Sequence, residues 1–194
     1  MTETRVLTGE ALDAALDDVA KLRIEVFRAF PYLYDGDLAY ERDYLQTYRD
    51  SDRAVLVGAF DGDRLIGAAT GAPLADHAED FGAAFAGTGL VLDTIFCCAE
   101  SVLLPTYRGQ GIGHAFFDRR EAHARAHGFQ KAAFCGVVRP VDHPLRPAHY
   151  APLDPFWQKR GYAPLPGVVA AFRWKDIDQS EETAKPLQFW IRDL

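Results

Sequence analysis

A chain of 194 residues, 48% of them hydrophobic, carries enough apolar material for one substantial core and is short for two independent domains. Lysine and arginine total 21 against 28 aspartates and glutamates, and this formal net charge of -7 argues against nucleic-acid binding by phosphate neutralisation while accommodating a cationic partner. No apolar run reaches the length of a membrane helix and Met1-Thr2-Glu3-Thr4-Arg5 starts no signal peptide, so neither a membrane partner nor export is expected and the location expected is the cytoplasm.

Arg5-Val6-Leu7 reads as a short first strand, and Thr8 as an N-cap for a helix whose apolar stripe is Leu12, Leu16, Val19, Leu22 and Val26, ending before Pro31. A second helix is expected over 39–49. Two strand-like runs, 53–60 and 64–71, flank Asp61-Gly62-Asp63, a hairpin turn signal. Residues 74–90, rich in small side chains, read as a short helix and loop before a central strand over 92–104. A helix over 113–127 and a strand over 131–138 follow. Pro140, Pro144, Pro147, Pro152 and Pro155 then forbid a long regular element, and proline-rich loops of this length tend to be functional. A short helix carries Phe156 to Arg160, and 168–174 and 187–191 read as closing strands, the last with a contact to a second copy as the alternative. Cys97 and Cys98 are adjacent and the cysteine total of 3 is odd, so buried thiols are expected rather than disulfides.

The most informative stretch is Leu103-Leu104-Pro105-Thr106-Tyr107-Arg108-Gly109-Gln110-Gly111-Ile112-Gly113, an apolar run passing through a glycine turn into a helix. Such a turn suits a phosphate, because glycine permits close backbone approach and the helix start offers free N–H groups at the positive end of its dipole. A Walker loop would need Lys-Ser/Thr after the last glycine, where His114-Ala115 stands instead. A dinucleotide fingerprint needs G-x-G-x-x-G, whereas the spacing here is G-x-G-x-G.

Arg108-Gly109-Gln110-Gly111-Ile112-Gly113 resembles the R/Q-x-x-G-x-G/A signature of the GCN5-related N-acetyltransferases, the GNAT superfamily. The context agrees: Pro105-Thr106-Tyr107 precedes it, and Phe156-Trp157-Gln158-Lys159-Arg160-Gly161-Tyr162 is similar to the family's F-Y-x-K-x-G-F segment. The resemblance implies an α/β (α+β) fold over the single domain 1–194, with a mixed, mostly antiparallel central sheet of six to seven strands, splayed at the cofactor site and flanked by helices. It implies acetyl transfer from acetyl-CoA, without a metal, to a small-molecule or peptide amine attacking directly in a ternary complex. Leu103 and Leu104 would offer backbone groups to the pantetheine arm. Arg108, Gly109, Gln110, Gly111, Ile112, Gly113 and His114 would cradle the pyrophosphate, and an N–H near Ser101 to Leu103 would face the acyl oxygen.

The proton-transfer groups are less marked. Glu100, just before the cofactor segment, is the first candidate for the base, with His143 and His149 in the proline-rich loop as second candidates. The family's tyrosine, which protonates the departing thiolate, aligns with Trp157, whose indole cannot serve as an acid, so Tyr150 is the candidate replacement. That departure keeps a second reading open, a non-catalytic acyl-CoA-binding module. Tyr32, Tyr34, Asp35 and Asp37, followed by Tyr40, Glu41 and Asp43, combine rings with carboxylates and are expected to hold a cationic amine.

Overall fold

The computed structural model describes residues 2–194. Strand β1 (Thr2–Leu7) leads into α1 (Gly9–Phe27), which buries Leu12, Val19 and Leu22 of the expected stripe, and Arg23 with them. Thr8 stands at the N-cap position, although its side chain makes no capping bond. Helix α2 (Leu38–Asp50) is capped by Asp37, whose carboxylate accepts the Tyr40 N–H at 2.9 Å and satisfies one donor that a helix start leaves free. The Asp61-Gly62-Asp63 turn joins β2 (Val55–Asp61) and β3 (Arg64–Pro73) in an antiparallel hairpin, buried along almost its whole length.

There follow α3 (Ala78–Phe85), β4 (Ile95–Cys97), β5 (Ser101–Leu103), α4 (Ile112–Ala126), β6 (Lys131–Val137), α5 (Asp154–Lys159), β7 (Ala163–Lys175) and β8 (Glu182–Asp193). The 8-stranded sheet runs β1-β2-β3-β4-β6-β8-β7, with β5 also on β3. Only β4 and β6 pair in parallel. Helix α4 packs on β1 to β3, α1 and α2 on β3, and α3 on β7.

Two differences from the sequence reading have physical causes. The single central strand expected over 92–104 is divided, which raises the strand number above six to seven. β4 pairs with both β3 and β6, but after Cys98 donates to the Ala133 carbonyl at 2.7 Å the chain leaves β6, and β5 pairs with β3 alone. From there β6 continues against β8, so the sheet splays. The closing strands are also longer than expected. Pro164 and Pro166 masked the start of β7, where a sheet-edge position tolerates missing donors, and its register shifts between Pro164 and Val169.

Arg120 of α4 secures the divided strand. Its side chain is fully buried and donates to the Thr70 carbonyl at 3.1 Å, the Glu100 carbonyl at 3.0 Å, Ser101 Oγ at 2.8 Å and the Phe116 carbonyl at 3.2 Å. A charged group satisfied in this way ties the motif helix to both sides of the break. Arg120→Met, which keeps the stem and removes the donors, is expected to lower unfolding free energy by about 2–4 kcal/mol. The measurement is the urea midpoint at unchanged m-value; a loss under about 0.5 kcal/mol would show that backbone pairing alone maintains the break.

Candidate active site

An antiparallel ladder turns the backbone groups of alternate residues toward opposite neighbours. The Thr70 N–H donates to the Glu100 carbonyl at 3.0 Å and the Leu104 N–H to the Ile66 carbonyl at 3.0 Å, so Glu100, Val102 and Leu104 face β3. Ser101 and Leu103 therefore turn their N–H and C=O groups to the splayed side, which no strand covers among the described residues. Such an edge is a template for an extended chain bearing amides. Of the two leucines expected in this role, Leu104 is spent, because its carbonyl also accepts the Tyr107 N–H at 3.0 Å. Ser101 takes its place, while Leu103 keeps its N–H and receives only a long contact from Arg108 Nε, 3.4 Å, on its carbonyl.

The edge runs directly into the glycine turn. Gly109 and Gly111 lie at φ 76° and 83°, the left-handed region that favours glycine. Gly111 opens α4, whose first turn leaves the N–H groups of Ile112, Gly113 and His114 without intrahelical acceptors. Arg108, Gly109, Gln110, Gly111 and His114 are exposed, so the turn presents its donors to solvent at the positive helix end. The His114 ring rests on Phe156 with centroids 4.8 Å apart and lies 3.2 Å from Arg160 Nη1.

On the other side of the break lies a cleft of about 530 Å³, floored by Cys97, Ala99, Glu100 and Cys135 and walled by residues of α1, α2, α3 and β7. Arg23 forms ion pairs with both Glu41 and Glu100. The second Glu100 oxygen accepts the Tyr44 hydroxyl at 2.9 Å, and that hydroxyl lies 2.9 Å from the hydroxyl of Tyr48. Burial opposes the Arg23 charge, but Glu100, Tyr44 and Glu41 outweigh it and hold the guanidinium above its ordinary pKa. Burial likewise pushes the Tyr44 and Tyr48 phenols well up, keeping them protonated donors. The three cysteines are free, and burial pushes the Cys135 thiol up to about 12.

Tyr32, Tyr34, Asp35 and Asp37 all line this cleft together with Glu100, so the acidic and aromatic segment and the first base candidate meet in space. Asp35 pairs with Lys175 at 2.6 Å, and Asp37 spends one oxygen as the α2 cap. His143 and Tyr150 are not among the cleft-lining residues. They gather around Phe30, with ring centroids 5.8 Å and 4.7 Å away, and Arg146 lies 4.9 Å over the Tyr150 ring. His149 is exposed on the same loop. Trp157 packs between Phe134 at 4.9 Å and Trp190 at 5.2 Å, a structural placement.

The sequence reading missed Arg23 and the residues that anchor the cleft wall. Arg23 follows Val19 by one helical turn, so a cation falling on the apolar stripe was the available signal. Arg139 grips Asp176 through both guanidinium nitrogens at 2.8 Å and 2.9 Å and donates to the Pro31 and Tyr32 carbonyls, each at 2.7 Å. Trp174 Nε1 donates to the same Tyr32 carbonyl at 2.9 Å, and Lys185 pairs with Asp176 at 3.2 Å. The proline-rich loop and β7 thereby locate Tyr32. Among the described residues there is no group of three or more histidine, cysteine or acidic side chains placed to hold a metal ion, and no helix long and apolar enough to cross a membrane.

A mixed sheet splayed beside a glycine turn defines a class of fold that solved structures share. The GCN5-related N-acetyltransferase from Kribbella flavida superposes with TM-score 0.60 at 15% identity, covering 98% of each chain. An N-acetyltransferase from Staphylococcus aureus Mu50 gives 0.63 at 11% identity, covering 98% of each chain, and a ribosomal-protein-alanine N-acetyltransferase from Brucella melitensis gives 0.63 at 13% identity, covering 99% of each. No curated protein matches by sequence. Residues 17–151 match the model of the acetyltransferase (GNAT) family, and the chain belongs to that family.

Burial raises the pKa of the Asp176 carboxyl, but Arg139 and Lys185 outweigh it and leave it below its ordinary value. A carboxyl lowered on folding contributes stability that is whole above its unfolded pKa, about 3.9, and is lost as pH falls through the folded value. Wild-type thermal stability is therefore expected to drop below about pH 4, and Asp176→Asn to be less stable at neutral pH with a shallower acid slope. Parallel melting curves across pH with equal slopes for both proteins would remove the role assigned to this pair.

Proposed function

We propose that the protein transfers an acetyl group from acetyl-CoA to a primary amine, by direct attack in a ternary complex, and that the whole chain serves as one catalytic domain. The observation that carries this reading is the meeting, at one broken strand, of an open amide edge leading to the glycine turn and a cleft floored by Glu100. The exposed N–H groups of the turn suit a pyrophosphate, and the free groups of Ser101 and Leu103 suit the amides of a pantetheine arm. Bound there, acetyl-CoA supplies an acetyl group activated as a thioester.

The remaining work falls to the protein. An N–H of the Ser101–Leu103 edge polarises the acyl oxygen, and Glu100 takes up a proton from the incoming ammonium. The carbon–sulfur bond breaks as the carbon–nitrogen bond forms. Of the two protons the ammonium loses, one leaves by way of Glu100 and the other ends on the CoA thiol. Relay of that second proton to the sulfur is assigned to the Tyr32 hydroxyl rather than to Tyr150, because Tyr32 lines the cleft and Tyr150 does not.

The packing of Trp157 against Phe134 and Trp190 favours one second reading, an acyl-CoA-binding module without turnover. Release of CoA thiol from acetyl-CoA in the presence of an amine panel separates the two. Glu100→Gln is expected to lower amine-dependent turnover by about 10²- to 10⁴-fold while leaving CoA affinity nearly intact. An unchanged rate would remove Glu100 from the base role. Gly111→Val forces a branched side chain to φ 83° and is expected to abolish CoA binding in titration calorimetry; normal affinity would remove the pyrophosphate assignment.

A further inference from the structure

The cleft carries evidence about the acceptor's body as well as its amine. Arg23 faces two carboxylates, Glu41 and Glu100, which leaves one negative charge in excess at the cleft floor. Glu41 is fully buried and lines the cleft, with the Tyr34 phenol beside its carboxylate as a neutral donor that leaves its charge uncompensated. His77, also buried and lining the cleft, has an Nε2 without a partner. Burying an excess charge is costly, and a cationic donor removes that cost.

The rest of the lining is aromatic. Phe27 and Trp174 lie 4.6 Å and 6.0 Å from Tyr32, centroid to centroid, and Phe81 lies 6.0 Å from Phe172, so two groups of packed rings line the one cleft. Carboxylates outnumber lysine and arginine side chains around the cleft by six to three; Arg23 is paired as described, Lys175 pairs with Asp35, and Arg173, at the exposed rim, gives one N–H to the Glu182 carbonyl at 2.9 Å. A carboxylate on the acceptor would be repelled by the net negative charge of this lining, where the one cation without an ion pair, Arg173, lies at the exposed rim. A second ammonium would find only Asp35 and Asp37, already engaged, or Asp80 and Glu182, which are exposed to screening solvent.

We propose that the acceptor is a primary amine carried on an aromatic or similarly flat apolar body without a carboxylate, its ammonium seated at the Glu41–Glu100 end of the cleft and its body against the rings of Tyr32, Phe81, Phe172 and Trp174. This rests on the acetyl-transfer reading for turnover but not for binding, so the two are tested apart. Binding of 2-phenylethylamine, phenylalanine, 3-phenylpropionate and spermidine is measured by calorimetry without acetyl-CoA, and the same compounds are compared as acceptors by thiol release.

The expected result is that 2-phenylethylamine binds best and has the highest kcat/KM. Glu41→Gln should weaken it by about tenfold to a hundredfold, and Tyr32→Leu by a smaller factor. Because Glu41 is buried, Phe172→Ala at the partly buried cleft wall gives a second variant, expected to weaken 2-phenylethylamine and leave spermidine unaffected. Tighter binding or faster turnover of spermidine or phenylalanine would overturn the proposal while leaving acetyl transfer standing. Tight binding of 2-phenylethylamine with no thiol release from any acceptor would support the acceptor site and overturn the transferase reading. No binding of 2-phenylethylamine at millimolar concentration would overturn the proposal.

Discussion

The break in the central strand between Cys97 and Ser101 is the constraint on which the remainder of the structure depends. A strand in the middle of a sheet ordinarily spends all its backbone groups on two neighbours. Here β4 does so and β5 does not, because β6 turns away to follow β8 after the Cys98–Ala133 bond. The same departure leaves an amide edge on one side and opens the cleft on the other. Arg120 keeps the geometry from relaxing: one buried guanidinium binds the Thr70 and Glu100 carbonyls and the Ser101 hydroxyl, and it does so from the helix that begins at the glycine turn. The edge and the residue at the break are therefore tied to the helix that the turn begins.

Arg23 performs a comparable task from the opposite side. A lone arginine inside the α1 stripe would be strongly destabilising, and each carboxylate buried without it would be too. Brought together, Arg23, Glu41 and Glu100 join α1, α2 and the break, with Tyr44 completing the bonds to Glu100. The excess charge of this cluster is negative and lines the cleft, whereas around Asp176 the excess is positive, from Arg139 and Lys185, and that cluster ties the wall together. The family fold explains where acyl transfer would take place; the charge and ring content of this cleft distinguish its own chemistry.

Much was legible before any coordinates. The glycine turn and its helix, the DG hairpin, the α1 stripe and the acidic and aromatic segment at 32–41 are local patterns whose meaning depends on a few neighbours in sequence. They appear where periodicity and turn chemistry put them. The division of the central strand was not legible, because Cys98-Ala99-Glu100 has no glycine or proline to mark it and the break is secured by a helix residue 20 positions away from Glu100. The length of β7 was hidden by prolines that an edge strand tolerates and an interior strand would not.

By itself, then, the sequence determined the order of the elements, the glycine turn and the family resemblance, because each rests on patterns within a helical turn, a hairpin or a short motif. Only the tertiary structure decided which polar residues share a site. Glu100 meets Arg23 across 77 residues of chain in an ion pair that no local period encodes, and Tyr150 and His143 are carried to the outer side of Phe30 by a loop anchored elsewhere through Arg139. Leu104 and Ser101 exchanged roles for a similar reason. Which backbone groups remain free depends on the register of β5 against β3, and register is a property of the assembled sheet.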